Sequence, residues 1–365
     1  MAHPVRSALA GAARLLVPFA AGLGFYALHL PLAWLLGPLL ATAAMTLSGH
    51  SMPVSTKARR VGQIVIGISI GLHVTGAVIV SILPWIPVMI GAALLSIVIA
   101  AILSVVYARL ARIDAVSAYY AMLPGGLSEM ANVGLSEGAR PEPITIGQTL
   151  RVSLVVLTLP PLIFAFGIDG NELTANASIV PWWTIPILIA IGALGVTLTR
   201  RLGIDNSWMT GSLIAVGLVS ALGWPAGQII PMVLWVAQFL IGINIGARFE
   251  REQIVRLPRV ALYGAVMVLT MTACSALIAA VLALSSGVDF ATLALAVAPG
   301  GVAEMAATAQ ALHLSLVLIT GFHLTRALIV NGFAKRLRLL LERTGILSSF
   351  GAALERMFGP DETRK

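Results

Sequence analysis

The sequence predicts an all-α polytopic membrane protein made of two inverted repeats of five transmembrane helices, each with a helix pair broken at Pro-Gly-Gly. Three observations carry this. Of 365 residues, 58% are hydrophobic and only 10% are Asp, Glu, Lys or Arg, with mean hydropathy +0.96; such a chain has too few polar residues to clothe a water-soluble core. The segment Pro124-Gly125-Gly126-Leu127-Ser128-Glu129-Met130-Ala131 returns 175 positions later as Pro299-Gly300-Gly301-Val302-Ala303-Glu304-Met305-Ala306, the duplication expected of two related halves. The basic residues gather in short loops, the pattern of cytoplasmic connections.

Repeat 1 covers residues 12–167. Apolar runs of roughly 17–25 residues, each enough to cross a ~30 Å hydrocarbon layer as a helix, place its spans at about 12–28, 31–48, 61–81, 84–110 and 142–166. The basic start (Arg6, Arg14) merges into the first span, which reads as a signal anchor without cleavage. Residues 168–182, with Asp169 and Glu172, form a periplasmic linker. Repeat 2, 183–333, has spans at about 183–199, 206–222, 229–247, 258–285 and 314–333. The tail 334–365 alternates Leu337, Leu339, Leu340 and Leu341 with Lys335, Arg336, Arg338 and Arg343, an amphipathic segment suited to the cytoplasmic membrane face.

Two Pro-Gly-Gly segments, 113–136 and 288–312, lie between the fourth and fifth span of each half. Each splits into arms of roughly ten residues, ~15 Å as helices and half a membrane thick. If these segments cross, each half has six spans and the halves run parallel; if they dip and return, the halves are inverted. Loop charge favours inversion. With both termini inside, Lys57/Arg59/Arg60, Arg109/Arg112, Arg200/Arg201, Arg248/Arg251/Arg256/Arg259 and Lys335/Arg336/Arg338 all become cytoplasmic and the acidic linker periplasmic. Strand alternation is absent, which disfavours an outer-membrane barrel.

The halves match elsewhere. Trp34 and Gly37 correspond to Trp208 and Gly211, the run Gln63–Gly71 to Gln238–Gly246, and Gln148-x-x-Arg151 to His323-x-x-Arg326. Pro124 and Pro299 cannot continue a helix, and Gly125, Gly126, Gly300 and Gly301 let backbone turn sharply. The second arm then starts near Gly126 or Gly301, with Glu129 or Glu304 near its third position. Arg151 and Arg326 sit ~15–18 Å into their spans, where an unpartnered charge is costly; Glu129 and Glu304 are their expected counter-ions. The arginines can also clamp an anion. Gln148 and His323 share helix faces with them, and His323 is a candidate proton relay. Asn132 and Thr308 follow the acids on the second arms. Gln63, Ser69, Gln238 and Asn244 line a polar path or bond between helices, while Gly67, Gly71, Gly242 and Gly246 form small-residue packing faces.

Other chemistry finds little support. Cys274 is the single cysteine, so neither an internal disulfide nor a thiolate cluster forms. No phosphate loop ending in Lys-Ser/Thr is present, and the six histidines are scattered. No catalytic residue, metal ligand set or cofactor is expected beyond Na+ or H+ as a coupling ion. The formal charge of +8 reflects loop topology and not nucleic-acid binding. The expected partners are the lipid bilayer and a small solute, with a homo-oligomer left open.

The duplicated PGGxxEM box, with Gln148-x-x-Arg151 and its downstream partner, resembles the bacterial membrane AbrB-duplication family across residues 12–335. Members carry labels of transcriptional regulator or ammonia monooxygenase. The resemblance implies a distant kinship with cation/proton antiporters and anion transporters, whose inverted five-helix repeats hold broken helices that cross. The leading expectation is a multi-pass bacterial inner-membrane secondary transporter, not an enzyme, moving a small anionic solute coupled to H+ or Na+ near the midplane. The alternatives are a membrane-embedded regulator of gene expression and a metal-dependent oxygenase.

Overall fold

The computed structural model describes residues 4–50, 52, 54–166, 178–204, 206–224 and 227–344, of which all but the first ten are described in their side chains. Most of the linker 168–182, and the tail beyond 344, lie outside these. The described residues form sixteen α-helices and no regular strand. In the first half these are α1 (Pro4–Ala27), α2 (Ala33–Leu47), α3 (Thr56–Leu72), α4 (Gly76–Ile82), α5 (Ile86–Ala111), α6 (Ala115–Met122), α7 (Leu127–Ser136) and α8 (Pro141–Ala165). The second half adds α9 (Thr184–Arg201), α10 (Ser207–Ala221), α11 (Pro231–Gly246), α12 (Arg251–Arg256), α13 (Pro258–Ser286), α14 (Phe290–Val297), α15 (Val302–Ala311) and α16 (Leu316–Arg343).

Six helical segments are long and apolar enough to cross a membrane: Gly76–Ala111, Pro141–Ala165, Thr184–Arg201, Pro231–Arg256, Pro258–Ser286 and Leu316–Arg343. Arg14–Ala27, Ala33–Leu47 and Ser207–Ala221 are apolar but shorter. Two boundaries differ from the hydropathy reading. The third helix stops at Leu72 and not near 81, because Thr75 restarts the chain: its hydroxyl accepts from Val78 N and caps α4. That helix runs on through a 3-10 turn at Leu83–Trp85 into α5. At the other end the helix that holds the last span continues unbroken to Arg343, past residue 334 where the tail is expected to begin.

Backbone geometry repeats as the sequence does. Left-handed residues occur as His29/Gly203, Leu32/Asn206 and Gly49/Gly223, each pair 174 apart, and as Arg112/Gly287 and Gly138/His313, 175 apart. A non-glycine residue pays roughly 1–2 kcal/mol for this conformation. Its recurrence with unrelated side chains therefore reflects one fold copied twice, with a one-residue step after Gly49.

The chain divides into two compact units. One comprises Met1–Leu83, Val156–Arg251 and Ala303–Val317; the other comprises Pro84–Val155, Glu252–Val302 and Leu318–Lys365. Within the first, the repeats exchange partners: α2 packs on α11 and α10 on α3. Glycine permits both crossings. A Cβ on Gly67 would sit 2.5 Å from the Met209 carbonyl oxygen, and one on Gly242 2.5 Å from that of Leu35, distances only a bare backbone tolerates. Within the second, α5 packs on α6 and α13 on α14. The Tyr107 hydroxyl donates to the Val260 carbonyl at 2.9 Å and joins α5 to α13.

Candidate functional site at the paired Pro-Gly-Gly turns

Both Pro-Gly-Gly turns belong to the second unit. The first arms α6 and α14 start alike: Asp114 accepts from Ser117 N and Asp289 from Thr292 N, each at 2.7 Å. They also end alike. Pro124 has no N–H to offer the Tyr120 carbonyl four residues back, nor Pro299 that of Leu295, so each arm ends on orphaned acceptors.

The polar residues of α8 and α16 answer this deficit. Gln148 Nε2 donates to Tyr120 O and Leu123 O, both at 2.8 Å. Arg151 donates one terminal nitrogen to Gly125 O and to Gln148 Oε1, both at 2.8 Å. In the second box His323 Nε2 lies 2.8 Å from Leu295 O. Arg326 reaches Ala298 O at 2.5 Å, Gly300 O at 2.8 Å and His323 Nδ1 at 2.9 Å. A guanidinium only donates, so Nδ1 is the acceptor, Nε2 carries the proton, and the imidazole is neutral. Both of its nitrogens are engaged.

The boxes differ in one proton. An amide nitrogen carries two hydrogens and an Nε2–H imidazole one. Gln148 therefore serves both Tyr120 O and Leu123 O, whereas in the second box Arg326 must take Ala298 O, the counterpart of Leu123 O. Arg151 is relieved of that duty, and its other terminal nitrogen reaches Pro299 O at 3.1 Å. One arginine thus ties the two turns together.

The second arms begin with acids in the first turn, Glu129 in α7 and Glu304 in α15, where the helix N-terminus favours negative charge. The Glu129 carboxylate folds back over the N-cap Gly126 into the space a Cβ would fill, and Gly126 N donates to Asn331 Oδ1 at 3.4 Å. Cations at the carbonyl ends of the first arms and anions at the amide ends of the second complement the half-helix dipoles. For Arg326, carbonyls and His323 stand where sequence reasoning expected a glutamate.

Other candidates, Asn132 apart, fall in the first unit. Ser69 donates to Gln310 Oε1 at 3.2 Å and Gln63 to Asn206 Oδ1 at 2.8 Å. Asn244 Oδ1 accepts from Arg248 at 3.2 Å, and both Arg59 and Glu304 lie within electrostatic range of Arg248. Thr308 turns its hydroxyl back onto Glu304 O at 2.8 Å. Gln238 is buried, and Asn132, on the second arm α7, is exposed.

Sequence reasoning missed Asn331, Gln310 and Asn206, whose partners lie far along the chain, and Arg248, which bonds Asn244 one turn away. It also missed Glu137, just beyond α7. Its side chain is 6% exposed and pairs with Lys335 at 3.0 Å and Arg338 at 2.8 Å, and it accepts from the Tyr120 hydroxyl at 2.9 Å. Burial alone pushes this carboxyl up, but the bonds from Lys335, Tyr120 and Arg338 outweigh it and hold it below the usual carboxylate range.

Comparison with known proteins places the chain in a family. The family described as "Transition state regulatory protein AbrB" matches residues 11–341. A relative from Bacillus subtilis (strain 168), named "Uncharacterized protein YhjN", is 25% identical over 329 residues, covering 82% of this chain and 84% of the relative. Another from Escherichia coli (strain K12), named "Putative regulator AbrB", is 25% identical over 313 residues, covering 83% and 88%.

Proposed function

The chain belongs to the AbrB family, and we propose that it is a secondary-active transporter of a small anionic solute in the bacterial inner membrane, coupled to H+ or Na+. One observation carries this reading. Two helix pairs are broken at Pro-Gly-Gly within apolar sequence, and Arg151 holds both breaks in one place through Gly125 O and Pro299 O. Broken backbone persists within a membrane where protein buries it or a wet cavity meets it, and such breaks are where carriers bind solute and coupling ion.

Carbonyls and neutral side chains engage the terminal nitrogens of both guanidiniums, so their positive charge acts on a solute through its field. Arg326 leaves a buried positive charge among neutral partners, which favours an anionic solute nearby. Glu129 and Glu304, half-buried at helix N-termini, are the groups to exchange a proton or hold a cation. Inverted repeats fit the surroundings of one matched pair. Trp34 packs with Phe19, Tyr26 and Trp235, whereas Trp208 lies against the guanidiniums of Arg60 and Arg200, 4.8 and 5.5 Å from its ring. Equivalent positions on opposite membrane faces would differ in this way, with cations on the cytoplasmic one.

The test begins with a thermal-shift screen of small carboxylates, phosphate and sulfate at several pH and sodium values, followed by uptake of a hit into vesicles under an imposed gradient. Glu129→Gln and Glu304→Gln should each abolish gradient-driven uptake; uptake unchanged in both would refute the coupling. A second reading, a membrane-embedded regulator, is favoured by the name of the Escherichia coli relative. Truncation after Thr344 separates the two, since loss of a gene-expression response with uptake intact would select the regulator.

A further inference from the structure

A crevice of about 370 Å³ opens between α5 and α16, lined by Leu94, Ile329, Phe333, Arg336, Leu337 and Leu340. Its walls are apolar except for Arg336. On α16 the lining residues recur at helical spacing along one stripe, which Arg343 extends by two turns beyond Arg336. The neighbouring cations are otherwise engaged: Lys335 and Arg338 bind Glu137, and Arg338 also binds Glu342. Arg336 is exposed, and its described contact is with the Phe333 ring, 5.8 Å from the centroid.

We propose that this crevice is a binding site for an anionic phospholipid, with an acyl chain against Leu94, Ile329 and Phe333 and the phosphate on Arg336. A guanidinium with its stem on apolar surface and its head unclaimed by a carboxylate matches a phosphodiester at the end of a hydrocarbon chain. An uncharged lipid would leave that donor set without an acceptor, and a free anion would leave the apolar walls unfilled. The site is independent of the transport reading, since a regulator in the membrane would carry it equally.

Native mass spectrometry of the full chain, purified in detergent with equimolar phosphatidylglycerol and phosphatidylcholine, tests this. Phosphatidylglycerol should be retained preferentially. Arg336→Gln should lower that retention about fivefold, the effect of one basic residue at an anionic surface, and Arg336→Lys should restore most of it. Equal retention of the two lipids, or phosphatidylglycerol retention unchanged in Arg336→Gln, would overturn the proposal. So would inorganic phosphate stabilising the protein against heat as well as phosphatidylglycerol does. If Arg336→Gln instead dissociates a dimer without altering lipid retention, the crevice seats a second copy and the lipid assignment is wrong.

Discussion

The two Pro-Gly-Gly boxes solve the same backbone problem with different side chains. In the first, Gln148 covers two carbonyls of the broken arm and frees Arg151 to reach the other turn. In the second, His323 covers one, and Arg326 is drawn entirely into its own box. A single missing N–H thus decides which arginine is a local brace and which a bridge. Near-identical sequence motifs therefore need not have equal roles: the difference arises from donor counting, and it marks the second box as the more dependent on its arginine.

The comparison breaks most readily at that dependence. Arg326→Met removes three charge-assisted contacts and strands buried carbonyls, and should lower stability by about 3–5 kcal/mol, read as a large fall in thermal midpoint in detergent. Arg151→Met should cost less, because Gln148 still holds Tyr120 O and Leu123 O. Equal losses would show that the boxes are interchangeable after all. Exchanging the partners sharpens the point. Gln148→His should cost about 1–3 kcal/mol, since Leu123 O loses its donor or Arg151 abandons Pro299 to supply it. His323→Gln brings a spare N–H to Ala298 O and should change stability by less than about 1 kcal/mol.

A smaller effect distinguishes the second arms. Glu137 lies beyond α7, and its counterpart beyond α15 is Leu312, so only the first box has an acid tied to Lys335 and Arg338. Because its folded pKa lies below the ordinary value, Glu137 adds stability above the unfolded carboxylate range, and this is lost as pH falls through the folded value. Glu137→Gln should therefore destabilise by roughly 1–2 kcal/mol at neutral pH and flatten the acid side of the stability–pH curve. An unaltered slope would assign the anchoring to Tyr119, whose hydroxyl donates to Ala334 O at 3.2 Å.

Much of the fold was legible because membrane segments announce themselves by composition. Six of the ten expected spans match helices long enough to cross, and the Pro-Gly-Gly breaks fall where the residues place them, with arms of eight and ten residues. The boundary at Leu72 was hidden because residues 61–81 hold no Asp, Glu, Lys or Arg, and hydropathy does not register a Thr75 cap. The site was half legible. Spacing put Gln148 beside Arg151 and His323 beside Arg326, but for Arg326 a glutamate looked the obvious partner because a sequence displays side chains and not orphaned carbonyls. Even so, a proline four residues beyond Tyr120 and Leu295 was a readable sign that those carbonyls would seek donors.

By itself the amino-acid order determined that this chain enters lipid, that it is one module written twice, and where each copy breaks, since all three follow from local composition and from proline's missing hydrogen. Only the folded arrangement decided which atoms answer those breaks. A hydrogen bond from Arg151 to Pro299 joins residues 148 positions apart, and no local property of either residue foretells it.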